Sequence, residues 1–263
     1  MEALYQEIAY QADLNLAETI RHRMKTAPKA ILHEQNGFIL FSIGALARNG
    51  HLNGALRLNS KIQPDIFLKA AEPFFQPMSP NYVIWVRAHA DSDLEQYLNN
   101  LAYVAQRKPG SAGMFIQQAF RSCSLPDGIT INRIEDQSRV ADYMEVTQAA
   151  FSMSKEQSCS VFGSNESLTA NNIAAFVAYQ TDKPVAAAMT LLTDKTAGIY
   201  WVGTIPEVRG KGLGAVMTQM ATNAGFELGA TTVILQASVS GEPLYRRLGY
   251  QIFTHYRWYS PSQ

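Results

Sequence analysis

The stretch Arg209-Gly210-Lys211-Gly212-Leu213-Gly214 has three glycines in five positions and lies between a strand-like segment and an amphipathic helix. Glycine readily adopts positive φ and has no Cβ, so the backbone N–H groups of such a loop can point together at one ligand. The following helix adds unpaired N–H groups and the positive end of its dipole. Arg209 and Lys211 add positive charge. The stretch therefore predicts a loop that binds phosphate or pyrophosphate.

The elements on both sides of the loop follow from local pattern. Ile199 to Thr204 is rich in aromatic and β-branched residues and predicts a strand, which Pro206 would end. A helix is predicted after the loop, with Gly229 at its C-terminal end. Its apolar residues recur at helical intervals: Leu213, Val216, Met217, Met220, Ala221, Ala224 and Leu228.

Two common phosphate loops share this order of strand, loop and helix. A Walker loop requires a glycine, four further residues, Gly-Lys and then Ser or Thr, whereas this chain has Ile205 in place of the first glycine and Gly212 after Lys211. A dinucleotide loop fits better, because Gly210, Gly212 and Ala215 match G-x-G-x-x-A. However, the next strand, Thr232 to Ser238, ends without a carboxylate for a ribose, and only 49 residues follow Gly214.

A third pattern fits two separate segments. Arg209, Gly212 and Gly214 fill the signature Q/R-x-x-G-x-G/A. The segment 241–250, GEPLYRRLGY, matches a short helix with a tyrosine followed by L-G-F/Y. On these motifs, and on the strand that joins them, residues 129 to 263 resemble the GNAT superfamily of N-acetyltransferases.

The resemblance implies a site for acetyl-CoA. The strand before the loop would diverge from its neighbour and pair with the pantetheine amides, through Val202, Gly203 and Thr204. The pyrophosphate would lie on the loop, at Arg209, Gly210, Lys211, Gly212, Leu213 and Gly214. Tyr245 stands where the family places a general acid, and a phenol with an unperturbed pKa of ~10 could protonate the departing thiolate.

The general base is not identified by the sequence. Residues 198–204 contain no Asp or Glu. A water chain could end at Asp142, Glu145 or His255, although carboxylates are mostly solvated surface groups. The segment from Ser152 to Ser167 lies where the family lines its acceptor pocket.

Composition excludes several classes of partner. Lys plus Arg and Asp plus Glu both number 22, so no net field attracts nucleic acid. Two cysteines without C-x-x-C spacing and five histidines without ligand spacing predict no metal site. No apolar run approaches the ~20 residues of a membrane span. We therefore expect a cytoplasmic protein without nucleic-acid or membrane partners. The histidines are His22, His33, His51, His89 and His255.

The order of elements in the first half repeats that of the second. Ala30 to Glu34, the turn Asn36-Gly37 and Phe38 to Ile43 predict a hairpin, as do Ala174 to Tyr179 and Val185 to Leu192. A helix and a further strand follow in each half. The sequence thus predicts an α/β protein with two GNAT-like mixed-sheet domains in tandem, residues 1–126 and 127–263.

The predicted first domain has no glycine loop, because Asn59 to Lys69 contains no glycine. Only the C-terminal domain should therefore carry the coenzyme A site. The first domain could complete a sheet, wall the acceptor pocket or form a homodimer surface.

Together these features predict an acetyl-CoA-dependent N-acetyltransferase. The acetyl group would move to a primary amine, of a small molecule, by direct attack in a ternary complex. The alternative is a noncatalytic acyl-CoA-binding sensor or scaffold, which the missing strand carboxylate favours.

Overall fold

A computed structural model describes residues 2–35, 37–44, 52–77, 81–164 and 166–262. The first half contains α1 (Glu2–Thr26), β1 (Ile31–Gln35), β2 (Phe38–Ser42), β3 (Asn53–Arg57), α2 (Pro64–Phe75), β4 (Val83–Arg87), α3 (Ser92–Asn100), β5 (Val104–Ala105) and β6 (Ser111–Ile116). The second half contains β7 (Ile129–Arg133), α4 (Val140–Phe151), α5 (Lys155–Phe162), α6 (Glu166–Thr169), β8 (Ile173–Gln180), β9 (Lys183–Thr193), β10 (Thr196–Thr204), α7 (Leu213–Glu227), β11 (Thr232–Ala237), α8 (Glu242–Arg247) and β12 (Gln251–Ser260). Short 3-10 turns cover Gln137–Arg139 and Pro206–Val208.

The described strands form a single mixed sheet, which confirms the predicted α/β class. Its order is β1-β2-β3-β4-β12-β6-β11-β10-β9-β8-β7, and β5 pairs with β12. The pairs β3–β4 and β10–β11 are parallel, and the other neighbours are antiparallel.

The two halves of the chain exchange strands at the centre of this sheet. β6 comes from the first half but lies between β11 and β12, antiparallel to both. β12 ends the second half but lies between β6 and β4. The sheet is therefore continuous across residue 126, and the division into domains 1–126 and 127–263 stays a prediction.

Helix α1 packs on the second half of the chain although it begins the first. Its Asn15 lies fully buried, and Asn15 Nδ2 donates to the carbonyls of Leu191 and Thr196, at 3.0 Å each. Tyr200 donates its hydroxyl to Asn15 Oδ1 at 2.8 Å. Leu16 and Ile20, one turn apart, enter the same core as β10 and β11. Helix α1 is thereby fixed against the strand that precedes the glycine loop.

Local predictions around the loop agree with the structure. β10 ends at Thr204 as predicted, and α7 begins at Leu213 and ends one residue before the predicted Leu228. The first hairpin forms, with Gln35 opposite Phe38, although Asn36 of its predicted turn lies outside the described residues. The second hairpin is tighter than predicted, because β9 already begins at Lys183.

A second core cluster lies where α2 and α3 pack on the strands of the first half. Leu40 of β2 and Ile84 of β4 pack with Phe67 of α2 and Leu94 of α3, all of them buried. None of the described helices has the length and apolar character that a membrane crossing requires.

Candidate active site

The parallel strands β10 and β11 diverge in the middle of the sheet. Their pairing extends only from Thr196 opposite Thr232 to Ile199 opposite Leu235. A bulge on the β9 side shifts the register between Tyr200 and Gly203, and Trp201 has φ of +56°. The residues predicted to bind pantetheine, 202–204, lie in this diverging segment. This segment therefore has no strand partner on the β11 side, although the Thr204 carbonyl already accepts from Arg209 Nε.

The glycine loop has the backbone geometry of an anion site. Gly210 and Gly212 have φ of +80° and +83°, and a Cβ at either position would meet no atom within 4 Å. Glycine is therefore needed there for the backbone conformation, while the space beside it is open. Among the described residues, the N–H groups of 210–214 have no hydrogen-bond acceptor. With the N-terminus of α7, they form a cluster of donors that suits pyrophosphate.

Arg209 is held by two backbone carbonyls, and its contact with a pyrophosphate stays a prediction. Its Nε donates to the carbonyl of Thr204, and its Nη2 donates to the carbonyl of Ala150, both at 3.1 Å. The side chain thus ties the loop to the ends of β10 and α4. Lys211 is exposed at the loop surface and remains available to an anion.

Tyr245 of α8 lies at the wall of a cavity beside the diverging strands. Its ring packs edge-on against Tyr250, with centroids 6.1 Å apart. Burial raises the pKa of Tyr245 to about 12, partly offset by the nearby Thr218 hydroxyl. The pKa of this half-buried phenol therefore lies above the ~10 of a free phenol, and its role as general acid stays a prediction.

The cavity has a volume of about 300 Å³. It lies between the diverging strands on one side and α1 with other parts of the first half on the other. The second half supplies the strand and tyrosine walls: Phe151, Ile199, Tyr200, Trp201, Val202, Leu235, Gln236, Ser238, Tyr245, Tyr256 and Trp258. The first half supplies the opposite wall: Leu16, Thr19, Arg23, Trp85, Gln106, Arg107, Gly110 and Ser111. No local sequence signal marks this second group, because its residues reach the cavity only through the packing of α1 and the assembly of the whole sheet.

No described residue of the segment from Ser152 to Ser167 lines this cavity, and its place in an acceptor pocket stays a prediction. Phe162 of α5 instead packs behind the wall, with its ring 5.2 Å from Trp201. Phe151, at the end of α4, contacts the same indole at 5.4 Å. Residue 165 lies outside the described residues. These aromatic contacts hold the bulged part of β10 in place.

None of the three proposed bases lines the cavity. Asp142 accepts a hydrogen bond from the Tyr179 hydroxyl at 2.7 Å, and Glu145 is exposed. Burial, followed by the charge of Arg257, lowers the pKa of His255, which lies outside the cavity wall. The wall has no Asp or Glu among the described residues.

A carboxylate does lie one hydrogen bond behind the wall. Tyr256 lines the cavity and donates its hydroxyl to Asp13 Oδ1 at 3.0 Å. Asp13 Oδ2 accepts from Arg87 Nη1 at 2.7 Å and lies 3.0 Å from His89 Nε2. Sequence reasoning missed this pair, because Asp13 and Tyr256 are at opposite ends of the chain.

The described His, Cys, Asp and Glu side chains form no group of three that could hold a metal ion. His51 of the sequence survey lies outside the described residues. The chemistry that the described cavity offers is therefore that of phenols, guanidinium groups and backbone amides.

Residues 140–250 match the acetyltransferase (GNAT) family. The matched region extends from the start of α4 to the end of the second motif, and so contains the diverging strand β10, the glycine loop and α8. A comparison with curated proteins gave no match.

Solved structures share the fold over nearly the whole chain. A GCN5-related N-acetyltransferase from Kribbella flavida has a TM-score of 0.72 and 17% identity, covering 97% of this chain and 96% of its own. One from Sphaerobacter thermophilus has a TM-score of 0.63 and 16% identity, covering 85% and 79%. The glucosamine N-acetyltransferase region of a fungal multi-domain beta-N-acetylglucosaminidase has a TM-score of 0.61 and 13% identity, covering 92% and 34%. The likeness therefore includes the first half of the chain as well as the matched region.

Proposed function

We propose that this acyltransferase moves an acetyl group from acetyl-CoA to the primary amine of a small molecule, since residues 140–250 match the GNAT acetyltransferase family. The observation that carries this proposal is the position of the cavity, directly beside the divergence of β10 from β11. A thioester bound along the free edge of β10 would present its carbonyl to the cavity. The glycine loop lies at the end of the same strand.

We assign the coenzyme A contacts by chemistry. The N–H groups of 210–214 and the exposed Lys211 suit the pyrophosphate. The backbone of Val202, Gly203 and Thr204 suits the pantetheine amides, since its β11 side has no strand partner.

The reaction is a direct transfer in a ternary complex. The lone pair of the amine attacks the thioester carbon, a C–N bond forms, and the C–S bond then breaks to release thiolate. A backbone N–H of the diverging segment would stabilise the oxyanion formed on attack. The ammonium proton leaves through water in the cavity, for which the Tyr256–Asp13 pair offers an exit.

Tyr245 would hold the proton that the thiolate receives. A pKa of about 12 keeps this phenol protonated at neutral pH. It also makes Tyr245 a weaker acid than a free phenol, so its main contribution is a hydrogen bond that strengthens as charge develops on sulfur.

The first experiment is calorimetric titration with acetyl-CoA of the wild type and of Gly212→Val. Valine is strained at φ of +83°, and its side chain would occupy the open space of the loop. We expect one site per chain in the wild type and at least about a tenfold loss of affinity in the variant.

The matched control is Gly229→Val, at the other end of α7. Gly229 also has positive φ, +105°, and open space around it, but it is outside the loop. Equal loss of affinity in both variants, or no binding by the wild type, would contradict the proposed coenzyme A site. Binding without thiol release from any amine would favour the acyl-CoA sensor.

A further inference from the structure

Arg23 of α1 is a half-buried cation at the cavity wall that pairs with no carboxylate among the described residues. Its Nε is buried without a hydrogen-bond acceptor, and no carboxylate lies within ion-pair distance of its guanidinium group. The group lies over the ring of Phe41, with Cζ 5.8 Å from the centroid. Burial lowers the pKa of Arg23 to about 10, which leaves it charged at neutral pH.

The two fully buried arginines among the described residues, Arg57 and Arg87, are paired with carboxylates. Arg57 contacts Asp91 at 3.0 Å and Asp93 at 2.5 Å. Arg87 contacts Asp13 at 2.7 Å and Asp91 at 2.8 Å. A buried charge without a partner is costly, so folding normally supplies one. No described carboxylate lies beside Arg23, and its side chain lines the cavity instead.

The rest of this wall has the same polarity. Arg107 lines the cavity at its exposed side, and no described Asp or Glu does. The wall opposite the diverging strands thus carries positive charge, and no described carboxylate in the wall neutralises it.

We propose that Arg23 binds a carboxylate of the acceptor, so that the substrates are small amines that carry a carboxylate, such as amino acids. This inference rests on the proposed acetyl transfer for the identity of the ligand as an amine. Arginine recognises a carboxylate through two parallel N–H bonds, which fixes orientation as well as position. With the carboxylate at α1, the amine would face the thioester at β10, on the other side of the cavity.

The test uses small amines that carry a carboxylate, a phosphate or no anionic group. Initial rates are measured with an amino acid, its amide and its decarboxylated amine, and with the pair β-alanine and 2-aminoethyl phosphate. We expect the wild type to favour the carboxylated amines by about tenfold or more in kcat/KM, as for other hydrogen bonds to a charged group. Preference for the amide, the decarboxylated amine or the phosphate would overturn the proposal.

The variants are Arg23→Met and Arg23→Lys. Methionine keeps the length of the side chain without its charge, so we expect KM for the amino acid to rise about tenfold or more and the preference over the amide to vanish. Lysine should restore part of the preference, which a merely structural role would not produce. KM for acetyl-CoA should be unchanged in both variants. An unchanged preference in Arg23→Met would overturn the proposal.

Arg139→Met is the matched control. Arg139 also lies over an aromatic ring, 6.0 Å from the centroid of Tyr179, but it does not line the cavity. The Arg139→Met variant should prefer the amino acid over its amide as strongly as the wild type does.

Binding separates this inference from the proposed function. Calorimetry with an N-acetyl amino acid and with the N-acetyl form of its amide needs no turnover. If no amine is acetylated but the N-acetyl amino acid still binds through Arg23, the proposed reaction fails and the carboxylate site stands. If amines are acetylated without regard to the carboxylate, the reaction stands and this inference fails.

Discussion

At Tyr245, the environment of one side chain determines which step it can assist. The phenol lies on a helix of six residues that has turned it against Tyr250 and the cavity. Burial raises its pKa to about 12, above the ~10 of a free phenol. At neutral pH it is therefore a donor, and it cannot act as the base that the amine requires.

We predict that Tyr245→Phe lowers kcat by about 10- to 100-fold, which is at or below the ~10²–10⁴-fold of a positioned acid because this phenol is a weak acid. The affinity for acetyl-CoA should stay within about twofold, because the proposed pyrophosphate contacts are at the loop. Steady-state rates and calorimetry on the same preparations measure both effects. An unchanged kcat would remove Tyr245 from the mechanism. Tyr97→Phe, on α3 and away from the cavity wall, serves as the control.

At the scale of elements, α1 and β10 act as one unit. Asn15 bonds the carbonyls of Leu191 and Thr196 and receives the hydroxyl of Tyr200, and all three contacts are with residues next to or within the bulged strand. The packing is close, because a Cβ at Gly198 would collide with Asn15 Oδ1. The helix that carries Arg23 is therefore positioned by the same strand that would hold the thioester.

Asn15→Leu should lower the free energy of unfolding by about 2–4 kcal/mol, because it leaves two carbonyls and a hydroxyl buried without partners. Denaturant unfolding measures this change. Gln6→Leu is the control, since Gln6 is exposed on the same helix and should shift stability by less than about 0.5 kcal/mol. Equal stability of Asn15→Leu and the wild type would show that the contacts between α1 and β10 contribute little.

For the whole molecule, the strand exchange makes the two halves depend on each other. β6 supplies the antiparallel neighbour of β11, and β12 supplies that of β4. Separation at residue 126 would expose unpaired edges on both sides, and such edges promote aggregation. The same exchange brings Trp85 and Arg107 to the cavity wall.

We predict that residues 1–126 and 127–263, expressed separately, each fail to give a cooperatively folded monomer. Co-expression should yield a soluble complex, since β6 can then reach β11. The control is the whole chain with a protease site inserted at Pro126, in the loop between β6 and β7, cut after folding. The cut chain should stay assembled in size-exclusion chromatography. A soluble fragment 127–263 with full affinity for acetyl-CoA would contradict this dependence.

The sequence by itself determined the parts of this protein that are built from neighbouring residues. The glycine loop, helix α7, the strand before them and the motif around Tyr245 are all visible in local spacing, because φ preference and helical periodicity act over a few residues. These local features are also the basis of the resemblance to the GNAT family and of the predicted pyrophosphate site.

Only the tertiary structure decided what surrounds the acceptor. Three features depend on contacts between residues far apart in sequence: the exchange of β6 and β12, the packing of α1 on β10, and the position of Arg23 at the cavity. Asn15 and Leu191, for example, are 176 positions apart. Such contacts leave no periodic pattern in either segment, because each side chain packs against a surface that distant parts of the chain form. The cavity and its charge therefore emerge only when the whole sheet is assembled.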